Sequence, residues 1–312
     1  MLNIETAQKI FSKYRLGKVN SIENQESGIT GTVFGINNKY IIKIQIDATD
    51  AFRSERNAFV CGILAENSIK APLLVAIDTS REIIPVKYII ITKLEGENLK
   101  YVWKNLSKDE QKNIFFKYGK VMANFHQISL KKFGDPVDDN NQFNSWYECI
   151  ISRYKGYYDY VKRNNIISDE VLNDINSFFV KNDKLLQIKV KPVLVHNDFQ
   201  TKNIKYYQSG WNGIFDFDES IGAHNEMDFI KTCLPFKAEK IWLDEILKGY
   251  KTSGSLSEDF SKRIKLYELN FCLKVLKFTH ANNLLADFYK RKFSWAVGKI
   301  LKEDWRFLGN FT

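Results

Sequence analysis

The sequence predicts an α+β protein in two parts, a β-rich N-terminal lobe over residues 1–94 and a mostly helical lobe over residues 95–312. Three observations carry this expectation. Short β-branched runs separated by turn residues fill the chain between Lys18 and Thr92, interrupted by one helical pattern. A polar, glycine-containing stretch, Lys93–Leu99, then breaks the pattern and marks the natural boundary. From Ser107 onward apolar residues recur at helical spacing almost to the end, interrupted by one hairpin-like stretch around residues 193–218.

Taken in order, residues 4–15 form a short amphipathic helix, with Ile4, Ala7, Ile10, Phe11 and Tyr14 near helical spacing. Lys18–Asn24 and Ser27–Ile36 are strand-like, Asn37-Asn38 makes a tight turn, and Lys39–Ile46 is a β-branched run. Gly28 and Gly31 would let backbone N–H groups approach a phosphate with no Cβ in the way, although a plain hairpin accounts for them equally well. Asp50–Glu66 has helical spacing, and Ala71–Asp78 and Pro85–Thr92 read as strands. Two charges interrupt these apolar patterns. Lys43 sits among isoleucines, and Glu55 lies on the stripe of Phe52, Phe59 and Ile63; since a buried charge needs a partner, the two are expected to pair. Past the linker, Ser107-Lys-Asp-Glu110 is a capping box. It opens a helix whose stripe of Phe115, Tyr118, Val121, Met122 and Phe125 belongs to a core. Ser145–Tyr160, Ser168–Asp183 and residues 238–252, 257–290 and 292–308 complete the helices.

Composition narrows the class. With 312 residues the chain can bury two substantial cores, and 44% hydrophobic with 27% charged residues describes an ordinary soluble globular protein. The net charge of +9 comes from lysines scattered along the chain with no concentrated block, which argues against nucleic acid as a partner. Cys61, Cys149, Cys233 and Cys272 are far apart and form no C-x-x-C, the pattern of thiols in a reducing compartment. The N-terminus lacks a basic leader with an apolar core, and the longest apolar runs, such as Tyr88–Ile91, are too short to cross a membrane. A cytoplasmic protein without a membrane partner is expected.

The chemistry is concentrated in His196-Asn-Asp198-Phe-Gln-Thr-Lys-Asn203, followed one hairpin later by Ile214-Phe-Asp216-Phe217. One carboxylate to take a hydroxyl proton, with a carboxamide and a second carboxylate to hold magnesium beside a nucleotide, is what phosphoryl transfer needs. The spacing H-x-D-x-x-x-x-N, a hairpin, then D-F is a kinase catalytic-loop pattern with Asn197 in the arginine position. A β-hairpin with polar turns would also use Asp and Asn. Upstream, Lys43 and Glu55 supply the lysine–glutamate pair that holds the α- and β-phosphates in such a site.

On these residues the chain resembles the aminoglycoside phosphotransferase family, part of the protein-kinase-like fold that also includes choline and homoserine kinase-like enzymes. Val193-Leu-Val-His-Asn-Asp198 is especially similar to the 2''-acting aminoglycoside kinases, and Phe217–Gly222 followed by Asp228-Phe229 looks like the family's loop after the metal site. Where the family commonly has Gly-Asp-Pro before its structural aspartate, this chain has Gly222-Ala223-His224.

The resemblance implies a bilobal kinase-like fold, with ATP or GTP and Mg2+ as cofactors and, as small-molecule acceptor, a hydroxyl of an aminoglycoside-like compound, the antibiotic-resistance type of activity. It makes Asp198 the catalytic base and Asn203 and Asp216 the magnesium ligands. Lys43, positioned by Glu55, would reach the phosphates, and the turn of Ser27, Gly28, Thr30 and Gly31 would cover them. The backbone from Thr92 to Leu94 would meet the purine. His196 would hold the loop, and Asp228 would be structural. An aminoglycoside-like acceptor would call for acids, for which Asp218, Glu219, Glu226, Glu268 and Asp287 are candidates. Because the net positive charge would repel a polycation at long range, a metabolic acceptor such as choline, homoserine or a sugar stays open. A non-catalytic kinase-like binding protein is the remaining alternative. The presence of Lys43, Asp198, Asn203 and Asp216 together counts against it.

Overall fold

Asn3 opens the fold: its side-chain oxygen accepts the Thr6 N–H at 2.8 Å and caps α1 (Ile4–Lys13). The structure is a computed structural model that describes residues 2–25, 31–46, 50–208, 210–235, 237–284 and 287–302. Next come β1 (Ile22–Asn24), β2 (Gly31–Ile36), β3 (Tyr40–Gln45), α2 (Arg53–Glu66), β4 (Leu74–Asp78) and β5 (Tyr88–Thr92). They are followed by β6 (Glu97–Asn98), α3 (Leu99–Val102), α4 (Lys108–Phe125), β7 (Phe133–Gly134), β8 (Gln142–Phe143), α5 (Trp146–Arg163) and α6 (Asp169–Asn182). The remainder holds β9 (Val193–Val195), β10 (Ile204–Tyr207), β11 (Gly210–Ile214), β12 (Ile221–Ala223), α7 (Ile230–Cys233), α8 (Leu243–Tyr250), α9 (Phe260–Ala281) and α10 (Asp287–Lys302).

The chain divides into two compact units, and the division is not a single cut in the sequence. The first unit takes Met1–Gln111, Val137–Asp139 and Gln200–Ser220. Its main sheet is antiparallel in the order β1-β2-β3-β5-β4. Asn37 and Asn38, at φ 53° and 52°, make the tight β2–β3 turn in the left-handed conformation that asparagine tolerates and hairpins favour. Alternation along β3 sends Ile42 into a core with Ala7, Ile10 and Phe11 of α1 and Phe34, Tyr88 and Ile90 of the sheet. Lys43 therefore leaves by the opposite face. Residues 200–220 join this unit because β10 pairs with β6, and β11 with β10.

The second unit comprises Lys112–Pro136, Asn140–Phe199 and Ile221–Thr312. A small sheet in the order β8-β7-β12-β9 lies among its helices. Serines start these helices. Ser107 and Glu110 form the expected capping box at α4, Ser145 and Glu148 form another at α5, and Ser168 caps α6. Helices α4 and α8 cross at backbone contact. A Cβ on Gly119 would run into the Ile246 carbonyl, and one on Gly249 into the Phe116 carbonyl. The late helices break earlier than periodicity suggests. Asn282 and Asn283 end α9, with Asn283 left-handed at φ 55°, and the two asparagine amides interrupt an otherwise continuous apolar rhythm. Residues 303–308 of the last expected helix lie outside the described residues. Among the described residues no helix is long and apolar enough to cross a membrane.

Candidate active site

In the first unit a cavity of about 570 Å³ gathers residues far apart in sequence, among them Gly31, Lys43, Thr92, Leu94, Asn203 and Asp216. Lys43 reaches it from β3, Thr92 from the end of β5, and Asn203 and Asp216 from either side of the β10–β11 hairpin. The Phe215 N–H donates to the Asn203 carbonyl at 2.9 Å and ties the two ends of that hairpin together. Asp216 is held at φ 74°, a left-handed conformation costly for a non-glycine residue and characteristic of functional positions. Lys93, Lys100, Lys202 and Lys205 add positive charge to the lining. Burial, and then the charge of Lys93, push the Lys205 ammonium below its ordinary range. A cavity with this many ammonium groups suits a polyanion.

Lys43 donates to Asp216 Oδ1 at 2.6 Å and to Asp218 Oδ1 at 2.7 Å. Burial opposes its charge, but the two carboxylates outweigh burial and hold the ammonium above its ordinary range. The expected pair with Glu55 is not formed. Glu55 Oε1 instead accepts from Lys87 Nζ at 2.5 Å. The physical reason is the rotation of α2, whose inward face is Arg53, Ser54, Arg56, Asn57, Val60, Cys61 and Leu64, leaving Phe59 on the exposed side. That face is polar at its start because it meets the acids after Asp216. Asn57 Nδ2 donates to Asp218 Oδ1 at 2.7 Å, Arg53 Nη1 to Glu219 Oε1 at 2.9 Å, and Arg56 Nη1 to the Asp218 carbonyl. Asn57, which also lines the cavity, was not singled out by sequence reasoning. The clue was available in Arg53, Ser54, Arg56 and Asn57, too many polar groups for the face opposite the hydrophobic stripe to be only solvated.

In the second unit, His196, Asn197 and Asp198 follow β9. Asp228 lies beneath this loop, its carboxylate accepting the His196 N–H at 2.9 Å and the Asn197 N–H at 2.6 Å. His126 Nε2 stands 3.1 Å from the same carboxylate, and His126 Nδ1 is 2.8 Å from the Tyr250 hydroxyl. Asn197 sits at φ 60°, so the loop turns sharply between its two clamped amides. His196 is fully buried against Phe125 and Phe199, and its Nδ1 accepts the Asp198 N–H at 3.3 Å. The Tyr118 hydroxyl donates to the Phe199 carbonyl at 2.7 Å and fixes the other side of Asp198. The Asp198 carboxylate pairs with Lys231 at 2.8 Å. Lys231, three residues after Asp228, is a second site residue that sequence reasoning missed.

The remaining candidates are placed as follows. Glu226 is fully buried, with Arg263 Nη1 at 2.8 Å and the Ser257 hydroxyl at 2.6 Å. Glu268 is also fully buried, on α9, and Asp287 begins α10. Ser27, Gly28 and Thr30 lie outside the described residues.

The family model described as phosphotransferase enzyme family matches residues 24–260. No curated protein sequence matches the chain. Among solved structures, the gentamicin complex of APH(2'')-IIa superposes with a TM-score of 0.71 at 17% identity, covering 97% of each chain. The GDP and kanamycin complex of APH(2'')-IIia gives 0.73 at 10% identity, covering 96% of this chain and 98% of the other. A Thermobifida fusca protein assigned as a fructosamine-3-kinase gives 0.72 at 15% identity, covering 96% of this chain and 100% of the other. At these identities the likeness establishes a kinase-like fold.

Proposed function

The chain belongs to the phosphotransferase enzyme family, and from that premise we propose that it is a small-molecule kinase that moves the γ-phosphoryl of ATP or GTP to a hydroxyl in the cytoplasm. The observation that carries this reading is the meeting of Lys43, Asn203 and Asp216 in one cavity, on a chain that also presents Asp198 on a clamped loop. In the reaction the acceptor oxygen forms a bond to the γ-phosphorus and the bond from that phosphorus to the β-bridging oxygen breaks. Asp198 takes the hydroxyl proton, and nucleoside diphosphate leaves. Lys43 steadies the phosphates, exchanging its carboxylate partners for them.

A carboxamide and a carboxylate suit Mg2+, which binds through one or two protein oxygens and completes its shell with water and phosphate. Asn203 and Asp216 would hold it. When bound, it would neutralise the charge that develops between the β- and γ-phosphates. The backbone of Thr92 to Leu94 would meet the purine edge, a reading supported by its position in the lining. The Thr92 and Lys93 N–H groups donate to the Leu73 and Lys39 carbonyls, so the donor would have to be the Leu94 N–H.

For the acceptor, the favoured reading is a metabolic hydroxyl compound. Of the five acids that a polycation could use, four are engaged or buried: Asp218 is held by Lys43 and Asn57, Glu219 by Arg53 and Glu226 by Arg263, while Glu268 is fully buried. An aminoglycoside acceptor, with a role in antibiotic resistance, is the second reading. It is favoured by the Val193–Asp198 resemblance and by similar structures solved in complex with gentamicin and with kanamycin.

The test is nucleoside diphosphate release with magnesium, ATP or GTP and a panel of hydroxyl compounds. Asp198→Ala is expected to lower turnover by about 10²–10⁴-fold, the range for removing a general base, while nucleotide still binds. If neither nucleotide binds with magnesium present, the kinase reading is wrong.

A further inference from the structure

We infer that Lys231 is a specificity-determining residue of this site and that it selects an acceptor with a carboxylate or phosphate close to the reacting hydroxyl. The inference rests on the kinase reading above and names the acceptor class within it.

Lys231 Nζ lies 2.8 Å from Asp198 Oδ1, and both side chains are largely withdrawn from solvent, at 16% and 11% exposure. The ammonium also stands 4.2 Å from the centre of the Phe271 ring, so α9 supplies a face that holds it in place. Its backbone is equally fixed. The next residue, Thr232, has its hydroxyl 3.3 Å from that of Tyr118, the same hydroxyl that donates to the Phe199 carbonyl beside Asp198. Lysine and base are therefore positioned by one network, and the contact is not a chance meeting of surface chains.

A hydroxyl brought to Asp198 for deprotonation must approach within hydrogen-bond distance of its carboxylate. It then shares the immediate surroundings of the Lys231 ammonium. An ammonium group on the acceptor next to that hydroxyl meets like charge in a poorly solvated place. A carboxylate or phosphate there gives Lys231 a partner in exchange for Asp198 and frees the base for the proton. In the second unit the candidate acid Glu226 does not offset this charge, because it is committed to Arg263 and Ser257. The net charge of +9 works in the same direction at long range, drawing in anions and opposing polycations.

The experiment uses the intact protein with magnesium and ATP or GTP. Acceptors are gluconate, glycerate and glucose 6-phosphate as anions, glucose and glycerol as neutral compounds, and choline and kanamycin as cations. Nucleoside diphosphate release is measured, and phosphorylated product is checked by mass. Anions are expected to exceed cations in kcat/KM on the order of tenfold or more. Lys231→Met should compress that preference through the acceptor KM, Lys231→Arg should retain it, and Lys231→Glu should invert it. The inference is overturned if kanamycin or choline surpasses every anion with the wild-type protein. It is overturned equally if Lys231→Met and Lys231→Glu, both folded by thermal melt, keep the wild-type ranking, or if nucleotide binds but no anion accelerates diphosphate release. Failure of both nucleotides to bind would instead remove the kinase reading, and this inference with it.

Discussion

Replacing Asp228 by asparagine removes one charge and little volume, which makes it a sharp test of how the His196–Asp198 loop is held. Asp228 is 1% exposed, accepts the N–H groups of His196 and Asn197, and faces His126. An asparagine of the same shape keeps one acceptor and turns an NH2 toward a donor that it cannot satisfy. Hydrogen bonds to a charged group contribute about 1.5–3 kcal/mol each, and stranding a buried donor costs about 1–3 kcal/mol, so a loss of roughly 3 kcal/mol is expected for Asp228→Asn. At about 2–4 °C per kcal/mol for a cooperative unit of this size, the melting temperature should fall by roughly 6–12 °C. Thermal denaturation followed by circular dichroism measures this without knowledge of the acceptor. Diphosphate release should show a lower kcat with the nucleotide KM preserved, because Lys43, Asn203 and Asp216 keep their cavity. A variant that melts within about 2 °C of wild type, against the 6–12 °C expected from that scaling, would refute the clamp.

Three further outcomes follow from contacts described above. Glu55→Gln should leave diphosphate release within about threefold of wild type, since its partner is Lys87, whereas Lys43→Met should lower it by about 10²–10³-fold, a loss typical of removing a positioned charge stabiliser. Equal losses in the two variants would restore the Lys43–Glu55 pair as the working arrangement. Gly119→Ala pushes a methyl into the Ile246 carbonyl and should destabilise the protein by about 1–3 kcal/mol, read from urea unfolding; an unchanged midpoint would contradict the α4–α8 contact. Burial, then the charges of Arg263 and His126, push the His224 imidazole from 6.5 down to about 3. Between those values the unfolded chain binds a proton that the folded chain refuses. Stability should therefore fall as pH drops below about 6.5, by up to about 1.4 kcal/mol per pH unit from this group, and His224→Gln should flatten the slope.

What the sequence makes legible here is local. Asn203 and Asp216 are legible as a pair because a single short hairpin joins them, and both line the cavity. The capping box at Ser107 and the Asn37-Asn38 turn are similarly short-range, and both are formed. The inward face of α2 was misjudged because periodicity scores apolar residues, and the face buried here begins with two arginines, a serine and an asparagine. Such a face becomes readable only when the acids at Asp218 and Glu219, more than a hundred and fifty residues later, are known to lie against it. Glu226 and Glu268 illustrate the same limit. Nothing in their neighbourhood distinguishes a carboxylate turned inward from one in solvent, and Arg263, the partner of Glu226, is thirty-seven residues away. Lys231 escaped for a simpler reason: a single lysine in a lysine-rich chain has no signature until its contact with Asp198 is seen.

The two carboxylates on Lys43 act as an internal competitor. The ammonium already has ligands of its own, Asp216 and Asp218, so an anion that bound this lysine would have to displace them. A weakly charged visitor such as a nucleoside or a single phosphate would gain too little from the lysine to dislodge them. A ligand that brings several charges, together with a cation able to take up Asp216, changes both sides of the exchange at once. Discrimination among small anions would then be built into the resting protein by its own side chains, as a threshold that only a metal-bound polyphosphate crosses.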